Sequence, residues 1–125
     1  GAVVAAWSYA ESRVDAAVDR VFDELHNERL EAYWPPEREH VVHRYRDLPF
    51  PFAPIEAPAF EMRCDWTLAN FLAYLRSWSA SERYRKETGR DAVAQVSRAM
   101  AQAWGDPESV RTVSWPLTLL VGRNA

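Results

Sequence analysis

Apolar and charged residues alternate strictly along Phe60-Glu61-Met62-Arg63-Cys64-Asp65-Trp66. A period of two predicts a strand, with Phe60, Met62, Cys64 and Trp66 on one face and Glu61, Arg63 and Asp65 on the other. Three charges on one face are characteristic of a sheet edge rather than its centre. The period then changes. Leu68, Phe71, Leu72, Leu75 and Trp78 recur at helical spacing, which predicts an amphipathic helix from Leu68 to Trp78 with the Thr67 hydroxyl as its N-cap. Burying that stripe contributes on the order of 10 kcal/mol as an upper bound, the largest local share of the core.

The same reading extends along the chain. Ala2 to Tyr9 is apolar almost without a break, as in a central strand covered on both faces. Ser12, with Asp15 three residues on, resembles a capping box for a helix carrying Val14, Ala17, Val18, Val21, Phe22 and Leu25. That helix stops before Pro35-Pro36, because the residue preceding a proline avoids helical geometry. Glu37 to Asp47 predicts a short polar helix. Pro49, Pro51 and Pro54 hold the following segment extended. Ser79 to Thr88 predicts a second helix of the later chain, broken by Gly89. Asp91 caps a third, with Val93, Val96, Met100, Ala103 and Trp104 on one side, and Gly105-Asp106-Pro107 ends it. Val113, Trp115, Leu117, Leu119 and Val121 alternate as a last strand, in which Pro116 must be unpaired on one side or bulged. The whole of 1–125 reads as one domain without internal repeats.

Charge narrows the function. With 15 Lys and Arg against 18 Asp and Glu, the net charge is −3, and a nucleic-acid surface would want a basic excess. The basic stretch Arg83, Arg85, Lys86, Arg90 is interleaved with Glu82, Glu87 and Asp91, as on a solvated helix face. No apolar run reaches the roughly 18–20 residues of a membrane-spanning helix. The single Cys64 excludes an internal disulfide and suits a reducing cytoplasm. The chain has no initiator Met and starts inside a predicted strand, as a fragment of a longer protein would.

Little in the pattern carries chemistry. Glu37, His40 and His43 would share one side of a helix, but a metal site needs further ligands and supporting hydrogen bonds, and the group reads as an exposed polar helix. Cys64 reads as a small core residue. Four glycines in the whole chain build no phosphate-cradling loop. What stands out is aromatic density at predicted element ends: Trp7, Tyr9, Tyr33, Trp34, Tyr45, Trp78 and Tyr84. Arg44 and Arg46 flank Tyr45, where a bidentate pair to a carboxylate is possible.

Four segments in register resemble a known family. Tyr33-Trp34-Pro35-Pro36-Glu37-Arg38 with Tyr45 and Leu48-Pro49-Phe50-Pro51-Phe52, the opening Gly1 to Tyr9, Tyr74-Leu75-Arg76-Ser77-Trp78-Ser79 with Tyr84, and Trp115-Pro116-Leu117-Thr118-Leu119 are similar to the C-terminal half of class I S-adenosylmethionine-dependent methyltransferases of the trans-aconitate methyltransferase-like group. The resemblance implies an α/β fold: half of a Rossmann-like domain, a mixed three-stranded sheet whose last strand runs antiparallel between the other two, and flanking helices. It implies substrate-side residues at Trp7, Tyr9, Tyr33, Arg44, Tyr45, Trp78 and Tyr84, a small-molecule methyl acceptor such as a carboxylic acid, and S-adenosylmethionine as the parent protein's cofactor. The cofactor loop lies upstream in that family, so this chain alone is expected neither to bind the cofactor nor to catalyse. The first strand would pair on one side only and drive self-association. The alternative is a self-contained, non-enzymatic α+β ligand-binding or interaction domain.

Overall fold

The computed structural model describes residues 1–125. It is an α/β structure whose strands form an antiparallel sheet of four: β1 (Val3–Tyr9), β2 (Ala53–Pro54), β3 (Glu61–Trp66) and β4 (Arg111–Arg123). The last strand lies between the others. β4 pairs antiparallel with β1 from Val3↔Arg123 to Tyr9↔Leu117, and it also pairs with β2 and β3. β2 is the strand the sequence pattern does not announce, formed where the proline-rich segment meets β4.

Two expectations change here. The uninterrupted apolar run of β1 predicts a covered central strand, yet β1 is an edge strand that pairs with β4 alone. Its Val3, Trp7 and Tyr9 side chains are 55%, 69% and 49% exposed. Phe60 and Met62, on the apolar face of β3, are exposed as well. Pro116 behaves as the chemistry demands. It lies one residue beyond the last β1–β4 pair, and its carbonyl accepts the Ala10 N–H at 3.0 Å, so the missing proline donor interrupts no rung.

The chain divides into two compact units. The first comprises Gly1–Ser12, Pro36–Arg63 and Ser114–Ala125. It holds β1, the short helix α2 (Arg38–Val42), β2 and most of β4. Gly122 is required there: a Cβ on it would sit 2.6 Å from Phe52 Cβ and 2.8 Å from the Phe50 ring.

The second unit comprises Arg13–Pro35 and Cys64–Val113 and is mainly helical. Its first helix, α1, spans Ala16–Asp23. The N-cap is Asp15, whose carboxylate accepts the Val18 N–H; Ser12 is buried and makes no cap. Asp15 wins because Arg111, which also donates to the Trp104 carbonyl, holds its other oxygen at 2.7 Å. After Asp23 the chain widens into a π-helical segment, Glu24–Arg29, closed by the Leu30 N–H on the Leu25 carbonyl, and a 3₁₀ turn follows at Glu31–Tyr33. Thr67 caps α3 (Leu68–Arg76) in a reciprocal box with Asn70. This helix stops two residues short of Trp78, which instead leads into α4 (Ser79–Thr88). Gly89 ends α4 in the left-handed conformation, φ 71°.

Helix α5 (Ala92–Trp104) is the hub of this unit, packed against α1, α3 and α4 through Ala92, Val93, Val96, Met100 and Trp104. Asp91 caps it, accepting from the Val93 and Ala94 amides. Burial pushes the Asp91 carboxyl up, but the Arg76 guanidinium at 2.9 Å and the two amides outweigh it and hold the group below the usual carboxylate range. A depressed carboxyl stabilises the fold above its unfolded pKa and stops doing so as pH falls through the folded one. Asp91→Ala should therefore cost about 0.5–2 kcal/mol near neutrality. The penalty should shrink below about pH 4. Urea melts of both proteins at pH 7 and pH 3 check this, and a penalty unchanged at the lower pH would refute it.

Candidate functional site

The first unit contains a pocket of about 270 Å³ lined by Ala6, Trp7, Tyr45, Leu48, Pro49 and Leu120. Its floor comes from the sheet, where Ala6 on β1 stands opposite Leu120 on β4. Ala6 is small, and Trp7, Tyr45, Leu48 and Pro49 complete the lining. Such a lining suits a small, planar or apolar group.

The turn that brings Tyr45 to this pocket is unusual. Arg44 and Tyr45 are consecutive non-glycine residues in the left-handed region, with φ 54° and 59°. Each such residue costs on the order of 1–3 kcal/mol and persists only where its surroundings over-determine it. Here the Arg44 N–H binds the Val41 carbonyl at 3.0 Å, the Tyr45 N–H binds the His40 carbonyl at 2.7 Å, and the Tyr45 carbonyl accepts the Leu48 N–H at 3.1 Å. Beside it lies a more open hollow of about 420 Å³, lined by Val42, His43, Arg44, Arg46 and Asp47.

His40 and His43 do not face Glu37. Both rings turn their Nδ1 atoms to one Asp47 oxygen, at 3.0 and 3.4 Å. The hydrogen bond from His40, then that from His43, overcomes partial burial and holds the Asp47 carboxyl below its ordinary range. The His spacing was visible in the sequence. Asp47, on the other side of the turn, carried no signal of its own.

The structure divides the seven candidate residues. Trp7 and Tyr45 line the pocket and Arg44 lines the adjoining hollow. Tyr9 is exposed on the same strand. Tyr33, Trp78 and Tyr84 belong to the second unit and are engaged in ring packing. Trp78 meets Phe22, His26, Trp34 and Tyr74 at centroid distances of 5.3, 5.4, 5.3 and 5.8 Å. Tyr33 meets Tyr84 edge-on at 5.0 Å, and the Tyr84 hydroxyl accepts from Gln95. Pattern reading missed Ala6, Leu48, Pro49 and Leu120 as pocket residues. It also missed buried His26, which the π-helical segment places 4.7 Å from the Trp34 ring. Aromatic residues at element ends were signal enough for Trp7 and Tyr45; nothing in the sequence separates a small floor residue such as Ala6 from any other alanine.

The chain is similar to a methyltransferase. Its fold superposes with a TM-score of 0.93 and 46% sequence identity on a structure described as that of a "Putative Type II Methyltransferase from Anaeromyxobacter dehalogenans". The likeness covers 98% of this chain and 52% of that one, so the chain spans about half the length of its structural neighbour. No family model matches the chain, and no curated protein does. Identity at this level runs over nearly every residue of the chain. Independently, no helix is long and apolar enough to cross a membrane.

Proposed function

We propose that this chain is the substrate-side, C-terminal portion of a cytoplasmic S-adenosylmethionine-dependent small-molecule methyltransferase of the trans-aconitate methyltransferase-like group. The observation that carries the reading is the 46% identity maintained over 98% of the chain. In this reading residues 1–125 are part of one larger catalytic domain. The cofactor supplies an electrophilic methyl group on a sulfonium.

The chain's own residues do not fit that cofactor. Its nucleoside and carboxylate would want a glycine-rich strand-to-helix turn. The two strand-to-helix turns here, residues 10–15 and Thr67, contain no glycine. Gly89 and Gly105 end α4 and α5, and Gly122 lies within β4.

What these residues offer is a wall for the methyl acceptor. Methyl transfer to a small nucleophile needs alignment and exclusion of water more than acid–base chemistry. Trp7, Tyr45, Leu48 and Pro49 hold the acceptor's apolar part against Ala6 and Leu120. Arg44, whose guanidinium pairs with no carboxylate of the chain, holds an acceptor carboxylate. Tyr9, Tyr33, Trp78 and Tyr84 play at most supporting parts.

Calorimetric titration of the chain alone with S-adenosylmethionine should give no saturable heat. A chimera in which the chain replaces the matched half of the Anaeromyxobacter protein should bind it, with the unaltered protein as control. Micromolar binding by the chain alone would overturn the division of labour. A folded chimera that fails to bind, beside a control that binds, would overturn the assignment. In that outcome the chain is a self-contained, non-enzymatic binding domain.

A further inference from the structure

The turn after α2 combines two features the proposed function does not use. It carries the consecutive left-handed residues Arg44 and Tyr45, and it is tied across its base by His40 and His43, both on one oxygen of Asp47 at 3.0 and 3.4 Å. The ties span the two strained residues: both histidines precede them and Asp47 follows. The carbonyl that receives the Tyr45 N–H, at 2.7 Å, belongs to His40 itself. We propose that His40, His43 and Asp47 form a proton-operated clamp that fixes this turn and, through Tyr45, the shape of the neighbouring pocket.

The chemistry sets the direction. A charge-assisted hydrogen bond is roughly twice as strong as a neutral one. Imidazoles in general exchange their proton between about pH 5 and 8. A protonated imidazole facing an ionised carboxylate makes such a charge-assisted bond, and the Asp47 carboxyl is held below its ordinary range by the bonds from these two rings. The clamp is then at its tightest. As pH rises through the window the attraction between charges is lost, and the turn can relax from its left-handed conformation. On the acid side the clamp fails only when Asp47 takes up its proton, below the ordinary carboxylate range. The charged groups around Asp47 come from this one segment: His40 and His43 on its oxygen, with Arg44 and Arg46 lining the same hollow. The two arginines keep their charge throughout, so they offset the clamp without giving it a pH dependence.

This proposal does not depend on methyl transfer, and its test needs no activity. Amide hydrogen exchange of the full chain is followed by NMR between pH 5.5 and 8 and corrected for the intrinsic pH dependence of exchange. The Tyr45 amide should lose about five-fold in protection across this range, while the Val96 amide in α5 serves as reference. Asp47→Asn, and separately the double variant His40→Gln/His43→Gln, should flatten the Tyr45 profile at its high-pH level. A wild-type Tyr45 profile that tracks the Val96 reference would overturn the clamp. So would a pH dependence that survives in either variant.

Discussion

Phe71→Ala should lower the unfolding free energy by about 3–5 kcal/mol, enough to threaten the fold of a domain this size. Phe71 is fully buried on the face of α3 that also buries Leu68 and Leu75. Its ring stacks on Trp104 at 5.6 Å and lies 6.3 Å from the Tyr74 ring. Those neighbours are poorly placed to fill the void. The Trp104 indole N–H is fixed on the Ser109 carbonyl at 2.9 Å, and the Arg111 guanidinium lies over the same ring, 5.6 Å from its centroid. A cavity that cannot collapse puts the cost toward the upper end of the range. Ala73 lies exposed on the same helix, so Ala73→Gln should stay within about 0.5 kcal/mol. Asn70 is no such control, because its side chain closes the capping box with Thr67. Urea melts of Phe71→Ala and Ala73→Gln giving equal midpoints would refute the packing described for α3.

Elements whose determinants are local were legible in the sequence. The Thr67 and Asp91 caps, the α4 span from Ser79 to Thr88 with its glycine stop, and the alternation in β3 and β4 all follow from residues within one turn or one strand of each other. The failures have a common cause in long-range partners. Ser12 and Asp15 are both competent caps, and the choice falls to Asp15 through Arg111, 96 positions away in the chain. An apolar run such as β1 encodes a preference for cover but not its position in a sheet, so a strand expected at the centre stands at an edge. The pocket was half legible. Aromatic residues at element ends include those that line pockets and those that fill cores, and composition does not tell Tyr45 from Trp78. Propensity actively hides the Arg44–Tyr45 turn, since neither residue favours a positive φ. Here the ties are short-range: the side chains of His40, His43 and Asp47 and the backbone bonds of the turn hold it together.

Prepared on its own, the 125-residue chain should associate through β1, and we infer that the occupant of that edge is a second copy. The hydrogen-bond register shows which atoms are free. The Ala10 N–H binds the Pro116 carbonyl and the Asn124 N–H binds the Ala2 carbonyl, so even-numbered residues of this stretch face β4. The N–H and C=O groups of Val3, Ala5 and Trp7 therefore point out of the sheet, as does the Tyr9 N–H, while the Tyr9 carbonyl accepts the Ser8 hydroxyl at 3.4 Å. No Lys, Pro or bulge guards this edge, and Val3, Trp7 and Tyr9 leave it apolar. An antiparallel β1–β1 pair about a two-fold axis satisfies both copies identically. Light scattering on a size-exclusion column at high micromolar concentration should give twice the 14.4 kDa chain mass. Ala5→Pro is the discriminating variant, because it deletes an outward donor and leaves the β1–β4 rungs in place. It should run as a monomer with little change in its urea midpoint. Val4→Pro, by contrast, removes an inward donor and should destabilise the sheet itself. A wild-type chain that stays monomeric at high micromolar concentration, or an Ala5→Pro variant that dimerises as well as wild type, would leave the β1 edge without this role.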